Sequence, residues 1–318
     1  MTNTNTYLNL AKKAKRDEFY TRYQTIADEL PYYTSYFKDK IVYCNSDDPL
    51  KSNFVKYFMR NFASLHLKGL FVTSYNPNGG GRAVELFNLK DLSTAGDNQL
   101  NKIIQPHIKF LQGNGSFDSP ECLSYLQQSD IVVTNPPFSK FRALFKLLVD
   151  YHKDYLLIGT TNMIKLKMVL PLLVANKLFI GINRQAFFFV IPDSYPKYLR
   201  KDENGNKIAR IANSLWLTSL EPIQDTEPLD LERSYYRSPT SYQKYDGTDI
   251  LNVDSIHDIP NDYDGLVGVP ISFLRHYNRS QFQIVGKADH GSKTEPLDLC
   301  KSMVNGKQKY VRFIIKRK

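Results

Sequence analysis

Residues 130–138 constrain this chain more than any other stretch. Ile131, Val132, Val133 and Thr134 read as a buried strand, which runs directly into Asn135, Pro136, Pro137 and Phe138. Proline has no N–H to give a sheet ladder and fixes φ, so the strand has to stop at this point. A strand that ends so abruptly is building something at its carboxyl end, where open α/β sheets place their ligands.

The flanking segments supply the rest of such a sheet. Residues 40–45 form a short β-rich run. After it Asp47 or Asp48 is expected to cap a helix with Pro49 in its first turn. Phe54, Val55, Phe58, Phe62 and Leu65 recur at helical spacing, Gly69 ends the helix, and residues 70–73 give a second strand. This is a β-α-β unit of a parallel sheet. Residues 76–81, with three consecutive glycines, read as a surface turn, since no Lys-Ser/Thr follows as a phosphate loop requires. Residues 82–108 show no clean period. Residues 108–111 are a third strand, Ser119 and Pro120 open a helix to Gln128, and residues 130–134 are the fourth strand.

Phe141, Leu144, Phe145 and Leu148 then form a helical apolar stripe, residues 155–159 a fifth strand, and residues 163–174 a helix interrupted by Pro171. Residues 187–192 and 215–220 read as two further strands, separated by a turn at residues 203–206 and paired antiparallel at one edge. From Glu221 the composition shifts to short polar and aromatic pieces punctuated by proline, closing on a basic strand at residues 310–315. The expected architecture is an α/β open sheet over residues 1–222 with a smaller region, 223–318, packed on it.

Composition narrows the class. No run approaches ~18 apolar residues, which excludes a membrane span, and the polar N-terminus lacks an apolar signal core. A cytoplasmic protein with no membrane partner is expected. Cys44, Cys122 and Cys300 have no CxxC spacing and the six histidines form no ligand pairs, so no metal is expected and the thiols read as buried and reduced. The formal net charge is +10, with Lys12, Lys13, Lys15 and Arg16 near one end. From Lys301 onward the ionisable side chains are all basic: Lys301, Lys307, Lys309, Arg312, Lys316, Arg317 and Lys318. That balance points to a polyanion such as DNA or RNA.

Asn-Pro-Pro-Phe after a strand fits one chemical problem. An exocyclic amine on a nucleobase is a poor nucleophile because its lone pair is delocalised into the ring. Accepting hydrogen bonds from both its N–H groups favours a tetrahedral nitrogen. The Asn135 side-chain oxygen and the adjacent backbone carbonyl offer two such acceptors, the prolines hold the carbonyls with little slack, and Phe138 is a ring for a base drawn out of the helix. The plain structural alternative is a strand ended by prolines with Phe138 in the core.

Several segments together resemble the EcoRI-type N(6)-adenine DNA methyltransferases. They are Asp17-Glu18-Phe19-Tyr20-Thr21, Val42-Tyr43-Cys44-Asn45 with Asp47-Asp48-Pro49, and Ser129 through Ser139 around Asn-Pro-Pro-Phe. Leu215-Trp216-Leu217-Thr218, Tyr245-Asp246 and Gly268-Val269-Pro270-Ile271-Ser272-Phe273-Leu274 extend the likeness over nearly the whole chain. The resemblance implies a Rossmann-like S-adenosylmethionine-dependent sheet, mostly parallel with an antiparallel edge pair. It implies double-stranded DNA as partner, a monomer, and a target-recognition region at 223–318.

By the same resemblance, Phe19, Tyr20, Thr21, Asn45, Asp47 and Asp48 hold the cofactor. Asn135, Pro136, Pro137 and Phe138 are catalytic, and Phe138 and Phe189 stack on the target base. The usual Gly-x-Gly turn after the first strand is replaced by Asn45-Ser46-Asp47. Asn114 and Ser116 stand where acids are expected, which leaves Asp118 as the candidate for the cofactor's adenine ring. The competing readings are a methyltransferase of rRNA guanine or protein glutamine, and a DNA-binding regulator without turnover.

Overall fold

The computed structural model describes residues 19–185, 187–191, 198–203, 205–211 and 213–318. The N-terminal basic cluster, Asp17, Glu18, Pro192 and Asn204 lie outside the described residues. The chain divides into two compact units: one runs to Gly159 and resumes over Gln185–Pro222, the other joins Thr160–Arg184 to Ile223–Lys318.

The first unit is built on strands β1 (Tyr20–Thr21), β2 (Ile41–Cys44), β3 (Gly69–Ser74), β4 (Arg82–Leu86), β5 (Lys109–Phe110), β6 (Ile131–Thr134) and β7 (Asp154–Thr160). They are followed by β8 (Phe188–Val190), β9 (Arg200–Lys201), β10 (Lys207–Arg210) and β11 (Ser214–Thr218). In the main sheet the neighbours run β5-β4-β3-β2-β6-β7-β11. β3, β2, β6 and β7 are parallel, with Val42 opposite both Leu70 and Ile131. Every residue of β3 and β6 is buried, as strands covered on both faces require. Asp130 fixes the register at the opposite end from the site: its carboxylate accepts from Ile41 N at 2.8 Å and its own N–H donates to Ile41 O at 2.9 Å.

Helices α1 (Asn53–Arg60), α2 (Asp97–Ile104), α3 (Pro120–Gln128) and α4 (Phe141–Asp150) belong to the same unit. Ser119 caps α3 by accepting from Cys122 N, as the Ser-Pro start implied. In α4 the buried residues are the four of the predicted stripe, Phe141, Leu144, Phe145 and Leu148. α1 buries Phe54 edge-on against Trp216 at 6.0 Å. A fully buried Phe of this kind contributes about 1.5–3 kcal/mol.

Three expectations for this unit need correction. The cap of α1 is Ser52, whose hydroxyl accepts from Phe54 N at 3.1 Å, and neither Asp47 nor Asp48 serves. The unpatterned stretch 82–108 holds β4 and α2, and β4 pairs antiparallel with β3 and with β5. The main sheet therefore has antiparallel neighbours at that end. The strand at 188–190 does not pair with that at 214–218: β8 lies in a separate four-stranded sheet, ordered β1-β8-β10-β9, with Thr21 opposite Phe189. β9 and β10 pair antiparallel, with Asp202 N donating to Asn206 O at 3.0 Å between them.

The second unit is mainly β. Its six-stranded sheet runs Gln243–Lys244, Leu251–Asn252, Val267–Pro270, Arg312–Arg317, Phe282–Asp289, Asp298–Lys301. The basic terminal strand is central, with Phe313, Ile314 and Ile315 in its core and Lys316 exposed. The expected helix at 163–174 is two short ones, Thr161–Ile164 and Leu170–Val174. Among the described residues no helix is long and apolar enough to cross a membrane, and no group of three or more His, Cys, Asp or Glu could hold a metal ion.

Candidate active site

Parallel pairing of β2 with β6 sets the two informative loops side by side: residues 45–48 leave the end of β2 and residues 135–138 leave the end of β6. Thr134 joins them. Its Oγ1 lies 2.6 Å from the Asn45 carbonyl oxygen and 2.8 Å from Asp47 Oδ2. Asp47 is held further by Ser52, whose hydroxyl donates to Oδ1 at 2.6 Å, and by its own N–H, which donates to Thr73 O at 2.9 Å. Asp48 is partly exposed. Its Oδ1 accepts from Leu50 N at 2.9 Å, and Arg82 stands 3.8 Å from its Oδ2.

A cavity opens between these loops, lined by Phe19, Tyr20 and Thr21, by Ser46, Asp47 and Asp48, and by Asn135 and Pro137. Ser52, Asn53 and Phe54 from the start of α1 and Ser74 and Tyr75 from the end of β3 complete it. Most of the residues expected to hold a cofactor therefore meet in one place. Asn45 is not on the wall; it is buried behind it, and its Oδ1 finds no donor among the described residues. Asp118 is also absent from the lining, and its carboxylate accepts from the Ser116 hydroxyl on the loop after β5. Sequence reasoning missed Ser52, Asn53, Phe54, Ser74 and Tyr75. The end of β3 is where dinucleotide folds carry a ribose-binding acid, and its position could have singled out Ser74 and Tyr75.

The Asn135 amide has two different fates. Nδ2 donates to Phe19 O at 2.6 Å, anchoring the β1 segment, while Oδ1 is buried with no hydrogen-bond partner among the described residues. A buried acceptor left unmatched costs about 1–3 kcal/mol, and on the cavity wall this one is free to accept an N–H. Asn53 repeats the anchoring, donating to Thr21 O at 2.7 Å. Phe138 is 7% exposed, its ring 6.0 Å from that of Phe19; Phe189 is fully buried, 6.1 Å from Phe19 and 6.3 Å from Phe187.

Asp47 keeps some surface as a residue, but its carboxyl is enclosed, and burial pushes its pKa up to about 7 against the hydroxyl bonds that lower it. The native state thus holds a proton that the unfolded chain releases near ~4. Stability falls as pH rises through the window from ~4 to ~7, and the full loss, up to about 4 kcal/mol, is present above it. Asp47→Asn removes this dependence. Urea unfolding should show the variant gaining on the parent between about pH 5 and pH 8, and an unchanged difference would contradict the assignment.

Comparison with known proteins matches this arrangement to a family. The profile described as adenine-specific methyltransferase EcoRI matches residues 7–318. Type II methyltransferase M.EcoRI of Escherichia coli is 41% identical over 99% of this chain and 97% of its own length. Type II methyltransferases M.MgeORF184P of Mycoplasma genitalium and M.MpnI of Mycoplasma pneumoniae are 34% and 32% identical, each over 98% of both chains. No solved structure matches. Two buried strands ending in adjacent loops, an asparagine with an unmatched acceptor, and this likeness along the whole length lead to one conclusion: the chain belongs to the EcoRI family of adenine-specific type II DNA methyltransferases.

Proposed function

We propose that S-adenosylmethionine occupies the cavity at the ends of β2, β3 and β6, and that Asn135 presents acceptors to the N(6) amine of an adenine drawn out of duplex DNA. The observation that carries this reading is the buried, unpartnered Oδ1 of Asn135 on the wall of a cavity that also holds Asp47 and Asp48. The carboxylates suit the cationic groups of such a cofactor, the serine hydroxyls and Asn53 its polar edges, and Phe54 and Tyr75 its flat ring. When bound, the cofactor supplies an electrophilic methyl group.

The chain's own part is alignment. Asn135 Oδ1 and the Pro136 carbonyl accept from the two amine hydrogens, and the prolines limit drift of that pair. Phe138 offers the base a ring. Phe189, fully buried between Phe19 and Phe187, backs the Phe19 ring in this reading. The chain needs no general base, because the amine proton leaves after the methyl arrives. In this reading residues 1–222 are catalytic and residues 223–318 read the target, with basic side chains such as Lys301 and Lys316 on phosphates.

Labelled S-adenosylmethionine incubated with the protein and duplex DNA should put its label in N(6)-methyladenine after digestion to nucleosides. Label confined to cytosine or to RNA would sink the reading. DNA affinity should drop steeply with salt, about 10³–10⁵-fold between roughly 50 and 200 mM if six to ten phosphates are neutralised. A flat response in a filter-binding series would count against duplex DNA as the partner.

A further inference from the structure

We propose that Thr134 is a positioning residue: through one proton shared with Asp47, its hydroxyl ties the cofactor loop to the catalytic asparagine beside it, and entry of a cationic cofactor drives that proton off. The inference rests on the reading that S-adenosylmethionine fills the cavity.

The geometry carries it by a proton count. Thr134 is the last residue of β6, fully buried and adjacent to Asn135. Its Oγ1 has two oxygens within range, Asn45 O at 2.6 Å and Asp47 Oδ2 at 2.8 Å, but a hydroxyl has a single proton to give. The count closes when Asp47 is protonated. The carboxylic O–H then donates to Thr134 Oγ1, Thr134 donates to Asn45 O, and Ser52 donates to the other carboxyl oxygen at 2.6 Å. With Asp47 ionised, Thr134 has to choose, and the charged acceptor takes its proton from the neutral carbonyl. The protonation state of Asp47 therefore decides how tightly the loop after β2 is tied to the residue that precedes Asn135.

The charges around Asp47 allow this. Asp48 on the same loop and the buried Cys44 thiol at the end of β2 are the titratable groups that bear on it. Asp48 opposes ionisation of Asp47, while its own charge is partly met by Arg82 of β4 at 3.8 Å. From β6 and the start of α1 Asp47 meets the hydroxyls of Thr134 and Ser52, and from β3 the Thr73 carbonyl. A pKa of about 7 puts the exchange near neutral pH. An entering cation favours the ionised carboxylate, Asp47 loses its proton to solvent, and Thr134 swings from Asn45 O to Asp47.

The test is titration calorimetry of the full chain with S-adenosylmethionine in two buffers of different ionisation heat. Below about pH 7 roughly one proton should be released per cofactor bound, and none by about pH 8.5. Affinity should tighten about tenfold per pH unit on the acid side. Asp47→Asn should bind with flat affinity and no proton release. Thr134→Ser should keep the wild-type profile. Thr134→Val should shift the midpoint upward, weaken cofactor binding and lower kcat at saturating cofactor. A wild-type protein that binds without releasing a proton overturns the proposal, as does a Thr134→Val variant with an unchanged profile. If S-adenosylmethionine fails to bind at any pH, it is the cofactor reading that falls.

Discussion

Asn135→Ala should lower methyl transfer by at least about 10²–10³-fold, the loss that follows removal of one preorganised polar partner at a reacting centre. DNA affinity should stay within about tenfold of the parent's, because the side chain lies on a cavity wall within the sheet unit and the phosphate contacts are proposed elsewhere. Its two polar atoms have separate duties: Nδ2 holds Phe19 O at 2.6 Å, and Oδ1 is left without a partner. Asn135→Asp separates the two. It restores an acceptor but replaces the donor with a carboxylate oxygen facing the Phe19 carbonyl, so the β1 segment is pushed away and activity should not return. Single-turnover assays with labelled cofactor and saturating DNA decide this. Turnover at the parent's rate in Asn135→Ala would remove the asparagine from the mechanism.

The sequence made the site legible where residue type and backbone break coincide. Asn135-Pro136-Pro137 and Asn45 through Asp48 each follow a short, largely buried strand, and the parallel register of β2 and β6 brings the two loops together. The wall residues at the ends of α1 and β3 were hidden because Ser, Asn, Phe and Tyr are ordinary residues in ordinary places. Only the register reveals that Ser74 and Tyr75 share the cavity wall with Asp47.

The misreadings have physical causes. In β8 the buried face is Phe189, with Phe187 and Ile191 flanking it, but the partly exposed Phe188 masks the alternation. Its partner β1 lies about 170 residues away, beyond the reach of any local pattern. β4 reads Arg-Ala-Val-Glu-Leu, with helix-forming Ala, Glu and Leu, and becomes a strand because β3 offers it a ladder. α2 buries only Leu100 and Ile104, too thin a stripe to register.

The triple glycine, a surface turn by composition, turns out to have two parts, and the second predicts a large loss of stability elsewhere. Gly79 and Gly80 stand in open space, but Gly81 packs against the backbone of Gly115 and donates to Gly113 O at 3.0 Å. Asn76 N reaches Asn114 O at 2.8 Å, so the loops after β3 and β5 are laced together beside Ser74. Gly115 has φ +74°, and a Cβ there would lie 2.1 Å from Ser74 O and 3.2 Å from Gly81 Cα. Each of those atoms is backbone, so no flexible side chain can move aside.

Gly115→Ala therefore combines a left-handed conformation, about 1–2 kcal/mol for a residue with a Cβ, with a contact that forces the two loops apart. A total of about 4 kcal/mol is expected, lowering Tm by roughly 8–16 °C for a unit of this size. Cofactor affinity should fall with it, since Ser74 and Tyr75 line the cavity. Gly80→Ala is the matched control. Its φ of +66° carries the same conformational cost, but no heavy atom lies within 4 Å, so only about 1–2 kcal/mol should be lost and cofactor binding should be kept. Thermal unfolding of the two variants side by side isolates the backbone contact. Equal losses would mean that the lacing of these loops contributes nothing to the site.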